Sequence, residues 1–157
     1  MSTLNLTLPT AAGSHRIRID VSFLVRQVAG LARVKMRRRT WNEFGEKVLK
    51  EYLSSSNLAR IGWNPRNREV TPESTYWKMT RTLVHEVVAT ADPKHDMIRK
   101  RLGNLRDPST RVLLSTLSLW LAGALGITTS VTGPLVAAML FGVADAGGDW
   151  EVLVRNE

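Results

Sequence analysis

No cysteine occurs anywhere in the 157 residues. That absence excludes a disulfide scaffold, a thiol nucleophile and every zinc site that uses cysteine. The chain also lacks a phosphate-cradling glycine loop and a nucleophile elbow, and no cofactor is expected. It has no internal repeat, no low-complexity tract and no linker, so residues 1–157 are expected to form a single domain. The opening MSTLNLTLPTAAGSHRIRID has neither the basic start nor the continuous apolar core of a secretory signal, which makes a cytoplasmic address the expectation. Acidic residues are scarce: 14 Asp and Glu stand against 22 Lys and Arg, for a net charge of +8.

The surplus is unevenly spread. Residues 1–106 hold 20 basic and 9 acidic side chains, net +11, whereas 107–157 hold 2 and 5, net −3. The domain therefore reads as a basic body followed by an apolar tail. A strongly basic body implies an anionic partner, either nucleic acid or an acidic surface.

Local patterns predict an α+β fold that is mainly α. Leu4, Leu6 and Leu8 alternate, as do Ile17, Ile19 and Val21, with turn-forming residues between the two runs, so an N-terminal β-hairpin is expected. Asp20 is placed to cap a helix from Val21, with Leu24, Val28, Leu31 and Ala32 inward. Thr40 and Glu43 form a capping box for a second helix, whose inner face would be Trp41, Phe44, Val48 and Tyr52. The dipeptides Asp92-Pro93 and Asp107-Pro108, and Thr71-Pro72, each put a capping side chain before a proline at a helix start. These helices would turn Tyr76, Met79, Leu83 and Val87, then Met97, Ile98 and Leu102, toward the core. At the C-terminus, Trp150, Val152 and Val154 alternate and predict a short third strand.

The longest uncharged run, 112–144, is interrupted by GITTSVTGP. It reads as two apolar helices joined at Gly126, the second starting near Pro134. Each arm is about 20 Å long, too short for a hydrocarbon core about 30 Å thick. A buried helical hairpin is the expectation. Helices apolar on every side need neighbours on every side. That demand predicts self-association or a protein partner docking on Leu117, Trp120, Leu121, Leu125, Leu135, Met139 and Phe141.

The densest cation cluster is RVKMRRRTW. Arg33, Lys35, Arg37, Arg38 and Arg39, with Arg26 before them, could bridge successive phosphates. Arg99, Lys100 and Arg101 form a second knot, and Trp63 lies in a loop with Arg66 and Arg68, where an indole could stack on a base. These residues are the candidate nucleic-acid contacts, whether DNA or RNA. The expected function is accordingly a non-enzymatic binding and assembly protein, a nucleoprotein component forming homo-oligomers or part of a complex. The alternative is a membrane-surface or membrane-inserting effector that uses the 112–144 hairpin with Arg99, Lys100, Arg101, Arg106 and Arg111 as its basic flank. A third reading is a metal-dependent nuclease built on His85, Glu86, His95 and Asp96, although four such residues are not a ligand set unless they converge.

Overall fold

The computed structural model describes residues 3–10, 13–27, 40–53, 72–90, 92–103 and 109–155. The described chain is mainly helical. Strands β1 (Thr3–Thr10) and β2 (Gly13–Asp20) are followed by α1 (Val21–Gln27), α2 (Thr40–Leu53), α3 (Pro72–Ala89), α4 (Asp96–Gly103), α5 (Thr110–Leu125) and α6 (Thr129–Asp145). Short 3-10 turns cover Pro93–His95 and Trp150–Leu153. The strands pair antiparallel with Leu4 opposite Ile19 and Leu6 opposite Ile17. Asp20 then turns the chain into α1 by accepting hydrogen bonds from the amides of Ser22 (3.0 Å) and Phe23 (3.4 Å).

Helix α6 is the centre of the molecule. Every residue from 135 to 143 is buried, and α1, α2, α5 and the C-terminal turn all pack on it. Close approach is possible because α6 presents glycine where a neighbour is largest. A Cβ on Gly142 would fall inside the indole of Trp41, and one on Gly45 of α2 would lie 2.5 Å from the indole of Trp77. The two tryptophans meet edge to face with centroids 5.9 Å apart, and Trp77 Nε1 donates to Asn42 Oδ1 at 2.8 Å. Thus α3 is keyed into α2, and α2 into α6, by two rings seated over glycines.

This keying corrects the expected inner faces. On α2 the buried positions are Trp41, Gly45 and Leu49, while Phe44, Val48 and Tyr52 are only half-buried. On α3 the buried stripe runs through Tyr76, Trp77, Thr80, Val84, Val87 and Val88, leaving Met79 outside. Thr80 is tolerated there because its hydroxyl donates to the Tyr76 carbonyl (2.9 Å). On α4, Ile98, Arg99 and Leu102 point inward and Met97 points to solvent. The inner positions expected at Val28, Leu31 and Ala32 lie outside the described residues.

Two helix starts also differ from expectation. The cap of α5 is Ser109, whose hydroxyl accepts from the Val112 amide (3.4 Å), and not Asp107. Thr110 at the first turn bridges to the hairpin: its hydroxyl donates to the Arg18 carbonyl (3.1 Å) and accepts from the Asp20 amide. Helix α6 begins at Thr129, five residues before Pro134. Gly126 ends α5 in the left-handed region (φ 70°), with its own amide and that of Ile127 both on the Ala122 carbonyl, so only Gly126, Ile127 and Thr128 separate the helices. The proline leaves the Ser130 carbonyl without its helical donor, but Ser130 is at the surface, where water can serve.

The expected C-terminal strand is a 3-10 turn. Gly147 and Gly148 reverse the chain at φ 72° and 94°, and Asp149 caps the turn by accepting from the Glu151 amide (3.0 Å). Leu153 becomes fully buried, a position that strict alternation would have turned outward. Arg81 Nη1 donates to the Leu153 carbonyl (3.0 Å) and the His85 ring lies 2.6 Å from the Glu151 carboxylate, tying the turn to α3. Burial pulls the Arg81 guanidinium below its ordinary range, opposed by the nearby charge of Glu46.

The glycine seats make a direct prediction. Gly45→Ala and Gly142→Ala should each destabilise the fold by about 1–3 kcal/mol through overpacking. Gly123→Ala, in open space on α5, should stabilise it by about 0.5–1 kcal/mol through helix propensity. Urea denaturation of the three variants measures both signs.

Candidate functional site

The cations divide into those the fold consumes and those it displays. Arg99 belongs to the first group. Its side chain is only 6% exposed and spends all five N–H donors internally. Nε donates to the Val87 carbonyl (2.9 Å), Nη1 to the Asp92 carbonyl (2.7 Å) and the Asp96 carboxylate (3.1 Å), and Nη2 to the Glu86 carbonyl (2.7 Å) and the Thr90 hydroxyl (3.3 Å). These carbonyls include orphans of the last turn of α3. The guanidinium is therefore a cap, placed where the helix dipole favours a cation. Arg99 is not available to an external phosphate, although its position in the RKR triplet suggested that it would be.

Lys100 and Arg101, its sequence neighbours, are exposed on the outer face of α4. Arg111 is exposed on the first turn of α5, and Arg18 is exposed on β2. The Thr110 hydroxyl joins the last two, because it bonds the carbonyl of Arg18 and sits beside Arg111 in the chain. Helix α4 packs against both β1 and α5, while β2 packs against α5. The four side chains thus lie on elements that meet at one end of the fold. None of the four forms an ion pair with another described residue. The missed residue is Arg18, whose signal was its phase: it alternates with Ile17 and Ile19, so it must face away from the core.

Beside this cluster the described acids are engaged elsewhere. Asp96 pairs with Arg99 (3.1 Å), and Asp20 is occupied by the amides of α1. Glu86 accepts from His95 Nε2 (2.9 Å) and pairs with Lys94 (3.1 Å). Its carboxyl is held below the ordinary range, first by the His95 hydrogen bond and then by that from Lys94. The His95 ring, nearly buried, stands edge-on to Trp120 with centroids 5.6 Å apart, which locks the start of α4 against α5.

Comparison with protein families, with curated proteins and with solved structures finds no match.

Of the four groups named for a metal site, Glu86 and His95 meet each other at 2.9 Å, whereas His85 faces Glu151 and Asp96 faces Arg99. Among the described residues no three His, Asp or Glu side chains are grouped to hold a metal ion. Of the remaining nucleic-acid candidates, Arg26 lies on α1, where only its backbone is described. Arg33, Lys35, Arg37, Arg38, Arg39, Trp63, Arg66 and Arg68 lie outside the described residues.

The apolar interface candidates are mostly internal. Leu117, Leu121, Leu135, Met139 and Phe141 are buried within this chain, and Trp120 and Leu125 are half-buried against the same core. The requirement for neighbours is met around α6 by the other helices. On α5 it is left open along one stripe, where Arg111, Ser115, Leu119 and Gly123 follow one another at single turns. No described helix is long and apolar enough to cross a membrane.

Two predictions separate consumed from displayed charge. Arg99→Ala should cost on the order of 3 kcal/mol, because several helix-end carbonyls lose their donor. Arg99→Lys should recover only part of that, since an ammonium lacks the fork. Lys100→Ala and Arg101→Ala should stay within about 0.5 kcal/mol. For Glu86, the depressed carboxyl contributes stability that is present above the unfolded carboxylate range. That contribution is lost as pH falls through the folded value, from about pH 4.5 downward. Glu86→Gln should therefore lower the midpoint at pH 7 and flatten the acid limb of a stability-against-pH profile.

Proposed function

We propose that the protein is a non-enzymatic binding protein that holds an extended anion against the surface where α4, the start of α5 and β2 meet. One observation carries this reading. Arg18, Lys100, Arg101 and Arg111 are exposed on neighbouring elements without an acidic partner among the described residues, while the described carboxylates Asp96 and Asp20 are occupied. A cluster of this kind contributes through the summed field more than through any single contact, and attracts a partner that presents many negative charges in a row.

A nucleic-acid backbone is the extended anion expected from the sequence. Arg26, Arg33, Lys35, Arg37, Arg38 and Arg39 would extend such a surface, as would Arg66 and Arg68 with Trp63. Assembly with further copies, the other half of the expectation, would have to use the outer stripe of α5, because the rest of the apolar hairpin is spent on the core.

The test is elution from a heparin column, which offers an extended anion without bases or lipid. Reversing Lys100, Arg101 and Arg111 to Glu should bring the protein off at clearly lower salt. Reversing Lys47, Lys50 and Lys78, which are exposed on α2 and α3, should have a much smaller effect, since local field and not net charge sets retention. Equal shifts for the two triples would sink the proposed surface.

A further inference from the structure

The outer stripe of α5 is uncovered along its length. Arg111, Ser115, Leu119 and Gly123 are all exposed, Leu119 at 62%, and the place a Cβ would take on Gly123 is open space. The two ends of this helix carry complementary polar groups. At its start stands Arg111, with no ion pair among the described residues and with the helix dipole against it. At its end four carbonyls fall outside the helical ladder. The Ala122 carbonyl accepts from the amides of Gly126 and Ile127, and the Leu125 carbonyl from the Tyr76 hydroxyl (3.3 Å). Those of Gly123 and Ala124, both exposed residues, receive no donor among the described residues. On α3 the equivalent carbonyls are capped by Arg99, whereas the last turn of α5 holds no basic residue.

We propose, building on the assembly half of the reading above, that the partner of this stripe is a second copy of the chain, its α5 antiparallel to the first about a two-fold axis. The register follows from the residues. Leu119 of one copy lies over Ser115 of the other and Arg111 over Gly123, each pairing occurring twice, as an isologous contact requires. Large side chains thus meet small ones at every step. A row at every fourth residue winds slowly around its helix, and two such rows run along each other when the axes are inclined by about 50°. A long helical side chain leans toward the N-terminus of its own helix, which in the antiparallel pair is the carbonyl end of the other. The Arg111 guanidinium thereby reaches the open carbonyls of Gly123 and Ala124, and does between copies what Arg99 does within the chain. A parallel pair would set Arg111 against Arg111 and leave both carbonyl ends uncapped.

Sedimentation equilibrium of the intact chain, without added polyanion, should show a reversible monomer–dimer equilibrium. Leu119→Ser and Arg111→Ala should each weaken it at least about tenfold, and Gly123→Leu should abolish it. All three positions are exposed, so the circular dichroism spectrum should not change. The chain has no cysteine, so Ser115→Cys chains mixed with Leu119→Cys chains report the register: oxidation should join the two kinds to each other in preference to like with like. A chain still monomeric at about 1 mM overturns the proposal. A dimer indifferent to Leu119→Ser and Arg111→Ala overturns it too, as does a disulfide that prefers like chains. Lys100→Glu with Arg101→Glu separates this contact from the anion surface, because it should lower the salt of heparin elution and leave the dimer intact. Unchanged heparin elution removes the anion surface and leaves the pair standing; loss of the dimer in that variant moves the contact onto α4 and overturns the pair.

Discussion

The seating of two tryptophan rings over two glycines is the constraint on which the architecture rests. Trp41 covers Gly142 and Trp77 covers Gly45, so α2 is clamped between α6 below and α3 above. A close-packed interior offers no slack for an added methyl group beneath either ring. Once α2 and α3 are placed, the remaining cover for α6 follows: α5 lies along it across a three-residue link, α1 packs on both α5 and α6, and the C-terminal turn closes the last side. A helix of almost uniform apolarity becomes an interior strut because its neighbours can come close to it.

Much of this was legible from residue patterns, and the errors have specific physical origins. Asp20 capping α1 and Gly126 ending α5 follow from local chemistry, and local chemistry decided them. The inner faces of α2 and α3 were misphased because a hydrophobicity pattern gives no weight to Gly45 and Thr80. The first is buried for having no side chain, the second because its hydroxyl is satisfied within its own helix. Proline favours a helix start, yet α6 begins five residues earlier, because the surface position of Ser130 lets the proline sit inside. The C-terminal strand failed for a tertiary reason: the glycine reversal delivers Leu153 to the core, and a capped turn does this where an extended segment would not.

The candidate surface shows the limit of reading charge from composition. Arg99, Lys100 and Arg101 are all cations and adjacent in sequence, yet one is a structural cap and two are exposed with no acidic partner among the described residues. What separates them is the three-to-four-residue period of α4, which turns Arg99 toward the carbonyl end of α3. The same period turns Met97 outward, where its apolarity had suggested burial. Neither orientation is visible without knowing what α4 rests on.

The hydroxyl of Thr132 is fully buried and donates to the Ser118 carbonyl at 2.8 Å, spanning the two arms of the apolar hairpin. Oily surfaces slide over one another at little cost, since one aliphatic contact resembles the next. A single polar bolt removes that freedom: displacing either rod by one step would strand a hydroxyl in hydrocarbon. The polar interruption in the greasiest part of the chain thereby acts as an alignment pin, holding the outer stripe of α5 at a set height against everything beside it.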